Sequence, residues 1–270
     1  MYNIIDGHYC LSEMRIVMLG KTGVGKSSLG NTILGEKLFQ IGDTGKSETR
    51  ECRSETRRVD GRDVTVIDLP GFFDTCRSEE ELKPEIVKCI TECATGLHAF
   101  LIVFMVERFT DQEQEVINKI NQFFSEEAFK YATVLFTHGD DLKEGETVEQ
   151  YFHNNQLVRD LMKKCGGRYH YRCNQFQVKQ LMKTIDHMIE ANKGTCFTNE
   201  MLQAVEKLIQ KEEEKIRQSP GNKTEKEIRE EAKKTTSGSV TKNVTSLFCL
   251  LFFSCVNATN VIQMFSQNQE

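Results

Sequence analysis

The chain has 270 residues, with 35 Lys and Arg against 40 Asp and Glu and a formal net charge of -5, so no basic excess points to nucleic acid and no nucleic-acid partner is expected. A hydrophobic fraction of 39% suits a soluble globular core with an appendage, and a mean hydropathy of -0.45 argues against an integral membrane protein. The first residues include Asp6, His8 and Glu13 without a long apolar run, against a secretory signal, and the ten cysteines lack the paired spacing of a disulfide or zinc framework. Reduced thiols in the cytoplasm are expected.

In chain order, Met14–Leu19 (MRIVML) is a short apolar run ending at a glycine, as a buried parallel strand should. Lys26–Leu34 has helical spacing and stops at Gly35. Thr44–Arg58 is polar and poorly periodic, a loop feeding an edge strand. Val59-Asp60-Gly61-Arg62 reads as a tight turn into a partner strand at Val64–Leu69, which makes this piece antiparallel. Ala99–Val106 (AFLIVFMV) is apolar throughout and predicts a central strand, with weaker runs at Thr133–Thr137 and Tyr169–Cys173. Helical periodicity marks Ser78–Cys93, Asp111–Phe124, Val148–Lys164 and Gln177–Ile189. This alternation predicts an α/β fold with a doubly wound, mostly parallel sheet. Beyond Lys193 follow a charged amphipathic helix at Asn199–Gln218, a break at Ser219–Asn222, a charged piece at Lys223–Lys234 and a small, polar stretch at Thr235–Thr241. The apolar Val244–Val256 segment is too short for a conventional membrane-spanning helix of about 20 residues. Packing or a peripheral contact with a membrane surface is expected of it instead.

Gly20-Lys21-Thr22-Gly23-Val24-Gly25-Lys26-Ser27-Ser28 contains G-x-x-x-x-G-K-[ST] between a strand and a helix. The glycines let successive N–H groups and the helix N-terminus face a phosphate. Lys26 is expected to bridge the β- and γ-phosphates, and Ser27 to ligate magnesium. Asp68-Leu69-Pro70-Gly71 stands one hairpin later, where Asp68 can hold magnesium through a water and the Gly71 N–H can sense a γ-phosphate. Guanine needs a carboxylate that accepts both its N1–H and N2–H, and Thr137-His138-Gly139-Asp140-Asp141 supplies one after a strand. Asp140 fits the Thr-x-x-Asp register better than Asp141, and His138 takes the place of the usual lysine and could stack on the base. A further magnesium ligand is expected in the polar loop, where spacing leaves Thr44, Thr49 and Thr56 in competition.

These motifs resemble those of the GTPases of immunity-associated proteins (GIMAP, also called immune-associated nucleotide-binding proteins), relatives of the septins and chloroplast-import GTPases. The matching stretches are RIVMLGKTGVGKSSLGNTILGEKLF, VIDLPGFFDT, LHAFLIVFMVERFTDQEQEVINKI and VLFTHGDDL, and the resemblance covers about Met14 to Glu190. It implies a six-stranded Ras-like sheet with an antiparallel edge strand, GTP/GDP and magnesium as ligands, and homodimerisation through the nucleotide face. With the change of character beyond Lys193, the expected division is a tail at 1–12, a G domain of this type at 13–195, a charged helical extension at 196–236 and a tail with a short hydrophobic segment at 237–270. The family's Ser-x-Thr-x-x-Cys pattern matches Ser47–Cys52 and selects Thr49, and the asparagine that family members place beside the base falls on Asn174. Relatives with C-terminal hydrophobic anchors imply contact with the cytosolic face of an intracellular membrane.

Gly71 is followed by Phe72-Phe73-Asp74, where many small GTPases place a water-orienting glutamine. An apolar side chain there cannot polarise water, so no catalytic residue is assigned and slow hydrolysis is expected. The expected function is a GTP/GDP-dependent switch; the alternatives are an assembly scaffold with negligible hydrolysis and a generic P-loop ATPase or kinase.

Overall fold

A computed structural model describes residues 2–5, 8–11, 13–41, 52–69, 79–106, 111–138, 147–150, 155–171, 175–219 and 221–242. These residues divide into two compact units, one drawn from 1–76 and 97–197, the other from 77–96 and 198 onward.

The apolar runs of the first unit become strands because side chains buried on both faces favour an interior position in a parallel sheet. Its main sheet contains β3 (Glu13–Leu19), β4 (Arg53–Val59), β5 (Arg62–Asp68), β6 (Ala99–Met105), β7 (Ala132–Thr137) and β8 (Tyr169–Tyr171). The strand order is β4-β5-β3-β6-β7-β8. Only β4 runs antiparallel to its neighbour, with Val59 opposite Arg62 across the Asp60-Gly61 turn. There Asp60 has φ 47° and Gly61 φ 84°, the positive angles that a two-residue hairpin turn requires. The six-stranded, mostly parallel sheet with an antiparallel edge strand is the one expected. A separate antiparallel pair joins β1 (Tyr2–Ile5) to β2 (His8–Leu11), for which the sequence carries no clear signal.

One face of the main sheet packs against α1 (Lys26–Leu34) and α5 (Gln175–Ala191). Ile16, Met18, Val66 and Leu101 meet Leu29, Ile33, Leu181 and Ile185 there, all buried. Behind α1, an added Cβ at Gly30 would lie 2.8 Å from the Phe39 ring, so the helix approaches that ring more closely than a side chain allows. On the opposite face, Phe124 of α3 (Asp111–Phe124) packs edge-on against Phe100 at 5.1 Å, and Phe197 meets Phe100 at the same distance. A 3-10 helix at Glu126–Tyr131 leads from α3 into β7.

The helix expected at Val148–Lys164 is not continuous. Residues 148–150 are helical, but Asn155 is extended (φ -122°, ψ 111°) and its side chain accepts from Leu157 N and Val158 N. It therefore caps a new helix, α4 (Gln156–Lys164).

The second unit contains α2 (Glu79–Cys93), α6 (Glu200–Gln218) and α7 (Glu225–Lys242). Asn199 caps α6 through Leu202 N. Thr224 and Glu227 form a reciprocal box at the start of α7: the Glu227 carboxylate accepts from Thr224 N at 2.8 Å, and Thr224 Oγ1 accepts from Glu227 N at 3.3 Å. The Lys223–Lys234 and Thr235–Thr241 stretches, expected to differ in character, share one helix from Glu225 onward. Ile228, Ala232, Thr236 and Val240 recur every four residues and are buried, so packing overrides the weak propensity of the polar turn. Arg229 bonds Glu206 and Glu213, and Lys233 bonds Glu92, within this unit.

Candidate functional site

The parallel strands end together, and β3 and β5 deliver Gly20 and Asp68 to that edge, where open α/β sheets place their ligands. An added Cβ at Gly20 would lie 2.4 Å from the Val103 carbonyl oxygen of β6, so only glycine permits this exit from the sheet. Gly23 and Gly25 have φ 81° and 89°, which a side chain would strain. The loop enters α1 at Lys26 with no side-chain cap at Gly25 and no acidic residue in the first turn. Its positive N-terminal end is therefore available to an anion.

Lys26 is 6% exposed, and its Nζ donates to the carbonyls of Gly20 at 3.0 Å and Lys21 at 2.9 Å. The ammonium is thus held at the start of the loop it belongs to. Beneath the loop, Ser27 Oγ donates to Asp68 Oδ2 at 2.6 Å. Asp68 is fully buried, and among the described residues its Oδ1 has no hydrogen-bond partner. Burial raises the Asp68 pKa, while the Lys26 charge, the Ser27 hydrogen bond and the Arg53 charge act in the other direction. A buried, half-satisfied carboxylate costs stability and calls for a ligand. With the adjacent hydroxyl it forms a hard-oxygen donor set that fits magnesium.

Two residues to which the motif reading gave no contact of their own support this site. Thr137, the last residue of β7, donates through Oγ1 to Val24 O at 2.8 Å, with Phe104 O at 3.1 Å. It ties the end of β7 directly to the glycine-rich loop. In the sequence it stands as the first residue of the Thr-x-x-Asp register, which does not announce this contact. Asn31, in α1, uses both ends of its amide: Oδ1 accepts from Leu38 N and Phe39 N, and Nδ2 donates to Phe39 O, each at 2.8 Å. The chain leaving α1 is thereby fixed as far as Phe39.

Lys26, Ser27 and Asp68 come together as expected. Lys21 and Thr22 are half-buried, Ser28 is exposed, and the Ser28 carbonyl accepts from Thr32 Oγ1. His138 is exposed at the end of β7 with φ 57°, a backbone angle that ordinarily favours glycine. Thr56 lies in β4, paired with Thr65 Oγ1 at 2.8 Å and three positions along from Arg53, the residue opposite Asp68. This takes Thr56 out of the competition for magnesium. Thr49, Gly71, Asp140, Asp141 and Asn174 lie outside the described residues.

Comparison with known proteins gives this geometry its relatives. Immune-associated nucleotide-binding protein 9 of Arabidopsis thaliana is 31% identical over 224 residues, 77% of this chain and 66% of that protein. GTPase IMAP family member 8 of Mus musculus is 36% identical over 160 residues, 57% of this chain and 23% of that protein. The chain thus spans less than two thirds of the length of either. Among solved structures, Toc33 from Arabidopsis thaliana in complex with GDP and Mg2+ shares the fold with a TM-score of 0.51 at 20% identity, covering 66% of this chain and 84% of that one. A dimerisation-deficient mutant of Toc33 gives 0.53 at 18% identity with the same coverage. The AIG1 family matches residues 14–218, most of the sequence and every described element of the phosphate site, and the chain belongs to that family.

Proposed function

We propose that this chain is a guanine-nucleotide-binding protein that alternates between GTP and GDP with magnesium, hydrolyses GTP slowly and pairs with a second copy through its nucleotide face. The observation that carries the reading is the buried Asp68 Oδ1, left without a partner beside the Ser27 hydroxyl under a glycine-rich loop. In this reading the loop N–H groups and the α1 N-terminus bind the β-phosphate, and Lys26 counters the charge of the β- and γ-phosphates. Ser27 would ligate magnesium and Asp68 would help to hold it, with Thr49 completing the protein ligands. Magnesium, when bound, neutralises charge on the phosphate oxygens. Asp140, or Asp141 in the shifted register, accepts the guanine N1–H and N2–H, His138 stacks on the base, Asn174 flanks it, and the Gly71 N–H senses the γ-phosphate.

The relatives support this assignment through their names, which describe nucleotide-binding proteins and GTPases. Toc33 has been crystallised with GDP and with GMPPNP, each with Mg2+, and dimerisation is important for the GTPase activity of atToc33 and psToc159. Light scattering with a non-hydrolysable GTP analogue and with GDP tests the pairing: a dimer is expected with the analogue, and a monomer in both states refutes it. The second reading, an assembly scaffold with negligible hydrolysis, is favoured by Phe72, which offers no group to orient water. Phosphate release in a single turnover separates the two. The cysteine usage supports a cytoplasmic setting, and Val244–Val256, outside the described residues, is the segment proposed to contact a membrane surface.

A further inference from the structure

Glu113 is an acidic residue buried close to a loop built to hold phosphate. It occupies the third position of α3 and is 3% exposed. Its Oε1 accepts from Lys21 Nζ at 2.8 Å, and the Lys21 side chain is 22% exposed. Toward the carboxyl end of the helix, Val116, Ile120 and Phe124 continue the same buried stripe, so the carboxylate rides on a helix fixed by its packing. The other end of the contact is a loop with glycines at 20, 23 and 25, which has little conformational preference of its own.

Lys21 acts in two directions. Its side chain reaches Glu113, and its backbone carbonyl is one of the two that hold Lys26 Nζ, at 2.9 Å. The pair also balances charge, because a buried carboxylate near a bound phosphate would repel it in a medium of low dielectric unless a cation stood with it.

We infer that Glu113 is a positioning residue for phosphate binding: acting through Lys21, it fixes the carbonyl that seats Lys26 and so raises affinity for nucleotides that carry a β-phosphate. The inference rests on the guanine-nucleotide reading above and adds to it a residue 92 positions away in sequence. Lys21→Met leaves the Glu113 carboxylate without its Lys21 partner, so this variant is the more damaging one. Glu113→Gln keeps the shape and removes the charge. The double variant then resembles Glu113→Gln alone.

The test is calorimetric titration of GDP and of GMP, both with magnesium, into wild type, Lys21→Met, Lys21→Arg, Glu113→Gln and the Lys21→Met/Glu113→Gln double variant. GDP affinity is expected to fall about tenfold for Lys21→Met and about threefold for Glu113→Gln and for the double variant, the scale of coupling between contacting residues in one network. Lys21→Arg, which keeps the charge, is expected to stay within about threefold of wild type. GMP, which lacks a β-phosphate, is expected to bind all variants within about twofold of wild type, whereas general damage to the fold would weaken both nucleotides together. Additive losses, or equal losses for GMP and GDP, overturn the inference while leaving the nucleotide reading intact. Failure of wild type to bind GDP overturns both. If Lys21→Met does not fold, Glu113→Gln and Glu113→Asp decide: both must weaken GDP selectively, and wild-type GDP affinity in both overturns the inference.

Discussion

Asp68→Asn separates what a buried carboxylate costs the nucleotide-free protein from what it contributes once magnesium is present. In the fold, Asp68 is fully buried, one oxygen is satisfied by Ser27 at 2.6 Å and the other has no partner among the described residues. Burial raises its pKa above the ordinary 3.8, against the opposing influence of Lys26, Ser27 and Arg53. The native state therefore holds this proton more tightly than the unfolded chain. Stability falls as pH rises from 3.8 through the folded value, and above that value the whole cost is present. Asparagine keeps an acceptor for Ser27 and exchanges an orphaned oxygen for an orphaned N–H, each costing about 1–3 kcal/mol, so those contributions nearly cancel. What remains is relief of the buried charge, of order 1 kcal/mol in favour of the variant, or a melting temperature about 2–4 °C higher. Magnesium and GDP at a hundred times their Kd stabilise the wild type by about 2.7 kcal/mol, and a neutral amide forfeits most of the magnesium-dependent part. Scanning fluorimetry at pH 7 is therefore expected to show a crossover, with the variant more stable in EDTA and the wild type more stable with magnesium and GDP. A variant that melts below wild type in EDTA, or gains as much from magnesium and GDP, refutes the reasoning.

His98 is 4% exposed, its Nδ1 accepts from Arg15 N at 2.9 Å, and burial, with Arg15 and Arg62 nearby, lowers its pKa to about 3. A depressed histidine pKa means that stability is lost as pH falls from about 6.5 toward 3, by up to about 1.4 kcal/mol per unit. His98→Gln is expected to flatten that part of an acid denaturation curve, and an unchanged slope counts against the assignment. Asn31→Ala leaves Leu38 N, Phe39 N and Phe39 O without the amide that bonds them, and is expected to cost about 2–4 kcal/mol in urea unfolding. A loss under about 1 kcal/mol would show that water replaces the amide. Thr137→Val removes the hydroxyl that reaches Val24 O at 2.8 Å while keeping the shape, and is expected to cost about 1–2 kcal/mol of stability and to weaken GDP binding measurably by calorimetry. Wild-type GDP affinity in that variant would remove the link from the site.

The phosphate cradle was legible because its chemistry is local. Gly20, Lys26 and Ser27 lie within eight consecutive residues, and Asp68 is placed by one hairpin whose Asp60-Gly61 turn announces itself. Other features depend on contacts that no local pattern encodes. Lys21 meets Glu113 and Thr137 meets Val24 across 92 and 113 positions, and neither pair has a spacing rule. The start of β4 is hidden because Arg53, Glu55 and Arg57 occupy an edge strand, where charged side chains are tolerated and hydrophobic alternation is weak. The break before α4 turns on whether Asn155 spends its amide on the backbone, and nothing in its neighbours signals that choice. In α7 the reverse happened: Thr235–Thr241 looks like a connector by composition, yet buried Thr236 and Val240 carry the helix through it.

The central claim is that the site holds a guanine nucleotide with its phosphates on the loop at Gly20–Ser28. The most direct test identifies the nucleotide that co-purifies with the full chain by chromatography, then measures competition between GDP and ADP in magnesium. GDP or GTP is expected in the extract, with ADP weaker by at least about a hundredfold because adenine cannot offer two donors to one carboxylate. An adenine nucleotide in the extract, or equal competition by ADP, would contradict the account.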